Sequence, residues 1–191
     1  MKTIVYAHPY EGSLNHALLN EITGKFKENQ DDYQVLNLYA DSFNPVLSSQ
    51  DLYNYNQGIS TDPLVEKYQA ALAKTDELIL IFPIWWYGLP AMLKGFLDRV
   101  MLPNVSYDSD DNGLLTGKLT NIKRATVLTT AGLSKQHFQQ LNAANVESTL
   151  INVIFKDLGI GHQSIRWFHY DTIHHDHADS SSYLESIIDK I

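Results

Sequence analysis

The sequence predicts an α/β chain in which helices cover both faces of a five-stranded parallel sheet, a three-layer doubly wound sandwich. Three observations predict it. Short apolar, β-branched runs recur along the chain, stretches with apolar residues every three or four positions separate them, and the central runs are continuously apolar rather than alternating. Continuous apolarity is what a strand needs when helices bury both of its faces.

The first strand is expected over residues 3–7. Leu14, Leu18, Ile22 and Phe26 follow at intervals of four, with Ser13 placed as the N-cap of a first helix. Residues 34–38 give a second strand. Leu64, Tyr68 and Leu72 make a helical stripe before the third strand, residues 77–82, and Leu93, Phe96, Leu97, Val100 and Met101 make another after it. A fourth strand is expected over residues 125–130. A longer helix over residues 146–158 should close at Gly159 with a left-handed cap. A weaker fifth strand, residues 162–167, precedes a closing helix that carries Tyr183, Leu184, Ile187, Ile188 and Ile191. Right-handed crossovers between these alternating elements build the doubly wound sheet. With 191 residues and no linker or repeat, the whole of 1–191 reads as one domain, able to bury roughly 70% of its unfolded surface. Residues 40–47 and 103–121 are expected as long irregular loops, which in a compact domain are more often functional than idle.

Composition removes several function classes. Hydrophobic residues make up 44% of the chain and charged residues 19%, too apolar for intrinsic disorder. A formal charge of −8 repels a polyanion, so nucleic acid is not an expected partner. The absence of cysteine excludes disulfides, thiolate metal sites, iron–sulfur clusters and cysteine nucleophiles together, so redox chemistry would need an organic cofactor or a histidine/carboxylate metal site. No apolar run reaches the eighteen or so residues of a membrane span, and the apolar start is too short for a signal-peptide core, so a cytoplasmic protein is expected.

In an open parallel sheet ligands settle beyond the carboxyl ends of the strands. The first strand runs into His8-Pro9-Tyr10-Glu11-Gly12-Ser13-Leu14-Asn15 at the start of a helix, where backbone N–H groups, the Ser13 hydroxyl and the Asn15 amide suit a phosphate. No lysine or arginine stands in this loop, and neither GxxxxGK[ST] nor GxGxxG is present, which disfavours a triphosphate or a dinucleotide fingerprint. A single phosphate on neutral donors suits a flavin tail, while Ser13 alone also reads simply as a helix cap. The third strand ends in Pro83-Ile84-Trp85-Trp86-Tyr87-Gly88, where Pro83 should stop the ladder. Three consecutive aromatics at a strand tip suit a flat ring system, with the N–H groups of residues 85–87 facing its polar edge, or else a loop or a second copy. The fourth strand ends in Thr129-Thr130-Ala131-Gly132, small residues that let backbone approach a flat ligand.

These three segments resemble the NAD(P)H:quinone oxidoreductase, or DT-diaphorase-like, family of flavodoxin-like flavoproteins. The family's first motif, His, four residues, Ser, one residue, Asn, is matched by His8, Ser13 and Asn15. Its second, Phe-Pro, an aromatic run, then Gly-x-Pro-Ala-x-Leu-Lys-Gly and an Asp/Glu-Arg-Val helix, is matched from Phe82 through Gly88, Lys94, Gly95, Asp98 and Arg99 to Val100. Its third, Thr-Thr-Gly-Gly, stands here as Thr129-Thr130-Ala131-Gly132. The resemblance spans most of the chain, with the middle motif the most specific.

The resemblance implies a flavodoxin-like sheet of strand order 2-1-3-4-5 and a bound flavin, FMN or FAD. His8, Ser13, Leu14 and Asn15 would lie by its phosphate or ribityl chain, and Pro83, Ile84, Trp85, Trp86, Tyr87, Thr129, Thr130, Ala131 and Gly132 would frame the ring. It also implies hydride passing from NAD(P)H by way of the flavin to a quinone-like acceptor in two alternating steps, in a homodimer. An azoreductase or nitroreductase of the same fold shares the first half of that chemistry, and a flavodoxin-type carrier or regulatory subunit shares the cofactor. The chain departs from the family's mammalian enzymes after Gly132, where those carry a Tyr and a His. Leu133-Ser134-Lys135-Gln136-His137 stands instead, and His137 is either a substitute acid or a helix-surface residue. His169, His174, His175 and His177 with Asp171, Asp176 and Asp179 lack regular ligand spacing, so no metal is assigned and Asp179 is read as the cap of the last helix.

Overall fold

The computed structural model describes residues 1–161, 164–173, 177–188 and 190–191. Its main sheet is wholly parallel, with β1 (Lys2–Tyr6), β2 (Tyr33–Asn37), β3 (Glu77–Pro83), β6 (Arg124–Ala131) and β7 (Ser164–Asp171) in the order β2-β1-β3-β6-β7. This is the expected doubly wound flavodoxin-like order. Between β3 and β6 lies a two-stranded antiparallel hairpin, β4 (Tyr107–Ser109) with β5 (Leu115–Gly117), so the expected irregular stretch 103–121 contains ordered structure.

The helices are α1 (Leu14–Glu28), α2 (Ser49–Asn54), α3 (Pro63–Ala73), α4 (Ala91–Val100), α5 (Lys135–Gln140), α6 (Lys156–Leu158) and α7 (His177–Ile188). Every residue of β3 is buried, which is why it reads as a continuous apolar run. Its side chains alternate between two cores: Ile79 and Ile81 join Leu18, Ile22 and Phe26 of α1 and Ile187 of α7, while Leu78, Leu80 and Phe82 join Val65, Tyr68, Leu93 and Phe96 of α3 and α4.

The segment expected as one α-helix over 146–158 is instead a π-helix, Val146–Phe155, continued by α6. Gly159 closes it in the left-handed conformation (φ 77°), as expected. The last helix starts at His177, so Asp179 lies inside it rather than capping it. His174, His175 and Asp176 of the acidic-histidine stretch lie outside the described residues, as do His162 and Gln163 at the start of the expected fifth strand. Among the described residues no helix is long and apolar enough to cross a membrane.

Candidate functional site

The winding direction reverses between β1 and β3, the place where ligands settle in sheets of this topology. Three segments meet beyond these strand ends, and side-chain contacts join them.

The loop after β1 turns tightly. The Tyr10 N–H donates to His8 Nδ1 (3.1 Å) and the Ser13 N–H to the Tyr10 carbonyl (3.2 Å). Ser13 is the N-cap of α1, its Oγ accepting from the His16 N–H at 3.1 Å. The N–H groups of Leu14 and Asn15, in the first turn, have no intrahelical acceptor by helix geometry. Asn15 is 2% exposed. Its Nδ2 donates to Thr130 Oγ1 (2.8 Å), which ties the first helix to the end of β6, and its Oδ1 has no partner among the described residues. Burial holds the His8 imidazole below its ordinary pKa, with His16 adding to the effect. Accepting at Nδ1, neutral His8 carries its proton on Nε2.

Pro83 does not end the ladder as expected. It pairs in register with Thr130, and the Ile84 N–H donates to the Thr130 carbonyl at 2.8 Å, so the strand runs one step further before it turns. Trp85 and Gly88 then exchange backbone hydrogen bonds, Trp85 N–H to the Gly88 carbonyl at 3.2 Å and Gly88 N–H to the Trp85 carbonyl at 3.1 Å, closing a two-residue turn on Trp86 (φ 48°) and Tyr87 (φ 62°). Such turns belong to Asn-Gly because both central residues need positive φ, so two large aromatics here are held in a strained backbone. The Trp85 N–H, expected to face a ligand, is therefore committed within the turn. Trp86 is 96% exposed, Trp85 43% and Tyr87 41%. The Asn145 side-chain amide holds the Tyr87 carbonyl at 2.8 Å, and the Trp85 ring lies 5.8 Å from that of His8.

The end of β6 supplies the third wall. Thr130 is buried and bound to Asn15, and Ala131, Gly132 and Leu133 are half-buried. A Cβ on Gly132 would stand 3.1 Å from Ile173 Cδ1. A hollow of about 360 Å³ lies between Ile84, Trp85, Trp86 and Tyr87 on one side and Ala131, Gly132, Leu133 and Phe138 on the other. Thus Ile84 to Tyr87 and Ala131 to Gly132 are brought together around one apolar cleft. Asn15 and Thr130 tie the start of α1 to the end of β6 beside it. Pro83 and Thr129 stay in the sheet below, and Ser13 and Leu14 stand at the helix start.

The exposed His137 lies on α5, its Nδ1 3.0 Å from Ser134 Oγ, and it does not line this hollow. Sequence reasoning missed Phe138, which lines it, and read His169, which bonds the carbonyl of Leu133 beside it, only as part of the C-terminal histidine cluster. The signal available for His169 was its place on a strand two residues after Trp167, on the same face.

A family model of the flavodoxin-like fold matches residues 2–190. The chain belongs to the flavodoxin-like fold family. An NAD(P)H oxidoreductase of Haemophilus influenzae is 33% identical over 159 residues, 82% of this chain and 77% of the relative. Human ribosyldihydronicotinamide dehydrogenase [quinone] is 30% identical over 155 residues, 70% of this chain and 64% of that protein. An FMN-dependent NADH-azoreductase of Bacillus anthracis, solved in complex with FMN, superimposes with a TM-score of 0.77 at 17% identity over 99% of this chain and 95% of the other. For a flavodoxin-like chain the cleft is chemically apt. A buried, unpartnered Asn15 Oδ1, neutral backbone donors at a helix start and an apolar slot between two strand ends fit a flat ring with a singly phosphorylated tail.

Proposed function

We propose that this flavodoxin-like chain is a flavin-dependent NAD(P)H oxidoreductase acting on quinone-class acceptors. The observation that carries this is the Asn15–Thr130 bond, which fixes the donor loop at the start of α1 beside the apolar slot framed by the exposed aromatic turn. The names of the relatives agree with an NAD(P)H donor and a quinone acceptor, and that of the azoreductase with FMN.

Leu14 and Asn15 N–H groups, with His8 Nε2 nearby, would hold the phosphate without a fixed cation. When bound, the flavin supplies two-electron chemistry, taking hydride from NAD(P)H and giving it to the acceptor in alternating half-reactions. Ile84, Trp85 and Tyr87 exclude water from one side of the slot, and Leu133 and Phe138 from the other. Backbone N–H groups of Gly132 and Leu133 make no backbone hydrogen bond among the described residues and would stabilise negative charge on a reduced ring. His137, outside the slot, has no catalytic part in this scheme. Trp86, almost fully exposed, would be covered by a second copy or by substrate, in keeping with a homodimer.

The test is direct. Purified protein should be yellow or become so on adding FMN or FAD, and should then oxidise NAD(P)H in the presence of a benzoquinone, with parallel-line kinetics. A colourless protein that takes up neither flavin ends the proposal. Preference for an azo dye over a quinone moves the acceptor class alone.

A further inference from the structure

The slot's second wall, the loop from Ala131 to Ser134, leaves the sheet at the end of β6 and is held from beneath by a chain of hydrogen bonds that starts on β7. Thr129, 0% exposed, is the register partner of His169 on β7. The Trp167 indole N–H donates to Thr129 Oγ1 at 2.9 Å, Thr129 Oγ1 lies 2.8 Å from His169 Nδ1, and His169 Nε2 lies 2.7 Å from the Leu133 carbonyl oxygen.

The chemistry of these groups fixes the direction of the two outer bonds. An indole N–H can only donate and a carbonyl can only accept. His169 Nε2 therefore carries a proton, and in the neutral ring Nδ1 accepts from the Thr129 hydroxyl, which in turn accepts from Trp167. Of the neutral forms the Nε2–H tautomer alone satisfies all three groups, and burial favours the neutral ring by lowering the His169 pKa. The ring is packed edge-on by Phe138 (5.7 Å between centroids, 76° between planes), itself a wall of the slot. Lys135 from α5 reaches over Trp167 to its carbonyl oxygen at 2.5 Å, so the charged groups that face His169 are Lys135 and Asp171 of its own strand.

We propose that His169 is a positioning residue of the flavin site: through Leu133 it fixes the backbone of residues 131–134, so that the Gly132 and Leu133 N–H groups are presented to the ring. What the loop is held for rests on the flavin reading; that His169 holds it does not. The role is built from residues far apart in sequence, since Leu133 lies 36 positions and Thr129 40 positions before His169.

The experiment has one arm free of cofactor. In flavin-free protein, ¹⁵N NMR of the His169 ring should report a protonated Nε2 and a bare Nδ1, and backbone relaxation of Gly132, Leu133 and Ser134 should match that of the sheet. His169→Phe, which keeps a ring but loses both polar atoms, should make these three residues mobile, and His169→Gln, which restores an N–H at similar reach, should return them to order. If His169→Phe fails to fold, Thr129→Val provides the same test by releasing Nδ1 and shifting the ring resonances. In the second arm, FMN titration should give a dissociation constant about tenfold weaker for His169→Phe and within about threefold of wild type for His169→Gln, the cost expected for one lost hydrogen bond to an ordered loop. The flavin absorption band should shift in the first variant and return in the second. A wild-type ring protonated at Nδ1 alone, or a loop as rigid in His169→Phe as in wild type, overturns the proposal. Wild type that binds no flavin but loses loop order on His169→Phe overturns the functional reading and leaves the positioning role standing.

Discussion

Two neighbouring threonines on β6 do opposite jobs because a strand points successive side chains to opposite faces. Thr130 Oγ1 receives the Asn15 amide and fixes the loop after β1, while Thr129 Oγ1 bonds His169 and fixes the loop after β6. Asn15→Leu keeps the volume but removes both the donor to Thr130 and the unpartnered Oδ1. It is expected to lower stability by about 1 kcal/mol, read by urea denaturation, and to weaken FMN binding at least tenfold; unchanged affinity would remove Asn15 from the site. The histidines set a pH dependence. Burial lowers the pKa of His169, against the hydrogen bond to Leu133, and burial likewise lowers that of His8. Both are therefore harder to protonate in the folded protein than in the unfolded chain, whose value is about 6.5. Their contribution is fully present above that pH and is lost as pH falls through the lowered folded values, because protons then favour the unfolded state. Denaturation midpoints measured from pH 7 to pH 5 should fall less steeply in His169→Gln than in wild type, and parallel slopes would contradict this.

At the scale of elements, the turn at Trp86 and Tyr87 is the clearest case of local preference overruled. Positive φ at a non-glycine residue costs about 1–2 kcal/mol, and here two aromatics stand where Asn-Gly would be at ease. Changing Trp86→Asn together with Tyr87→Gly is expected to raise the denaturation midpoint, by about 1–3 kcal/mol in stability, while under the proposed function the KM for a quinone acceptor rises. A double variant that is less stable, or equally active, would show that the rings are held there for packing. The same contrast explains what could be read from sequence. The five main strands were legible, with ends that agree within a few residues, because β-branched apolar runs carry their own signal. The hairpin of β4 and β5 was not: Tyr107-Asp108-Ser109 and Leu115-Thr116-Gly117 are short, half-polar and paired only by tertiary context. Val146–Phe155 was legible as helical from its apolar spacing, but its widened π geometry was not, since Val146, Leu150 and Phe155 fit either winding. The candidate crevice was visible as three motifs at three strand ends. The role of His169 was not legible, because it exists only once β6 and β7 are side by side.

Across the whole molecule, one buried cluster ties the long β2–α3 connection to the sheet's helical layer. Arg99, 6% exposed on α4, donates to the Asn44 carbonyl (2.6 Å) and to Asp62 (3.1 Å), and lies 3.4 Å from Asp51. One turn earlier on the same helix, a Cβ on Gly95 would stand 2.2 Å from the Pro45 carbonyl oxygen, so only glycine lets the connection lie this close. Residues 44–62 are thus strapped to α4 at two points, and α4 starts directly after the aromatic turn. Arg99→Met leaves Asp51 and Asp62 without their cation and is expected to cost about 3–5 kcal/mol; Gly95→Ala forces Pro45 outward and should cost about 1–3 kcal/mol. If the two contacts hold one strap, releasing it at either end forfeits much of what the other contributes. The double variant should then lose clearly less than the sum of the two single losses in a urea-denaturation cycle. Strict additivity would mean that the arginine cluster and the glycine contact stabilise the fold independently, and that the connection is anchored twice rather than once.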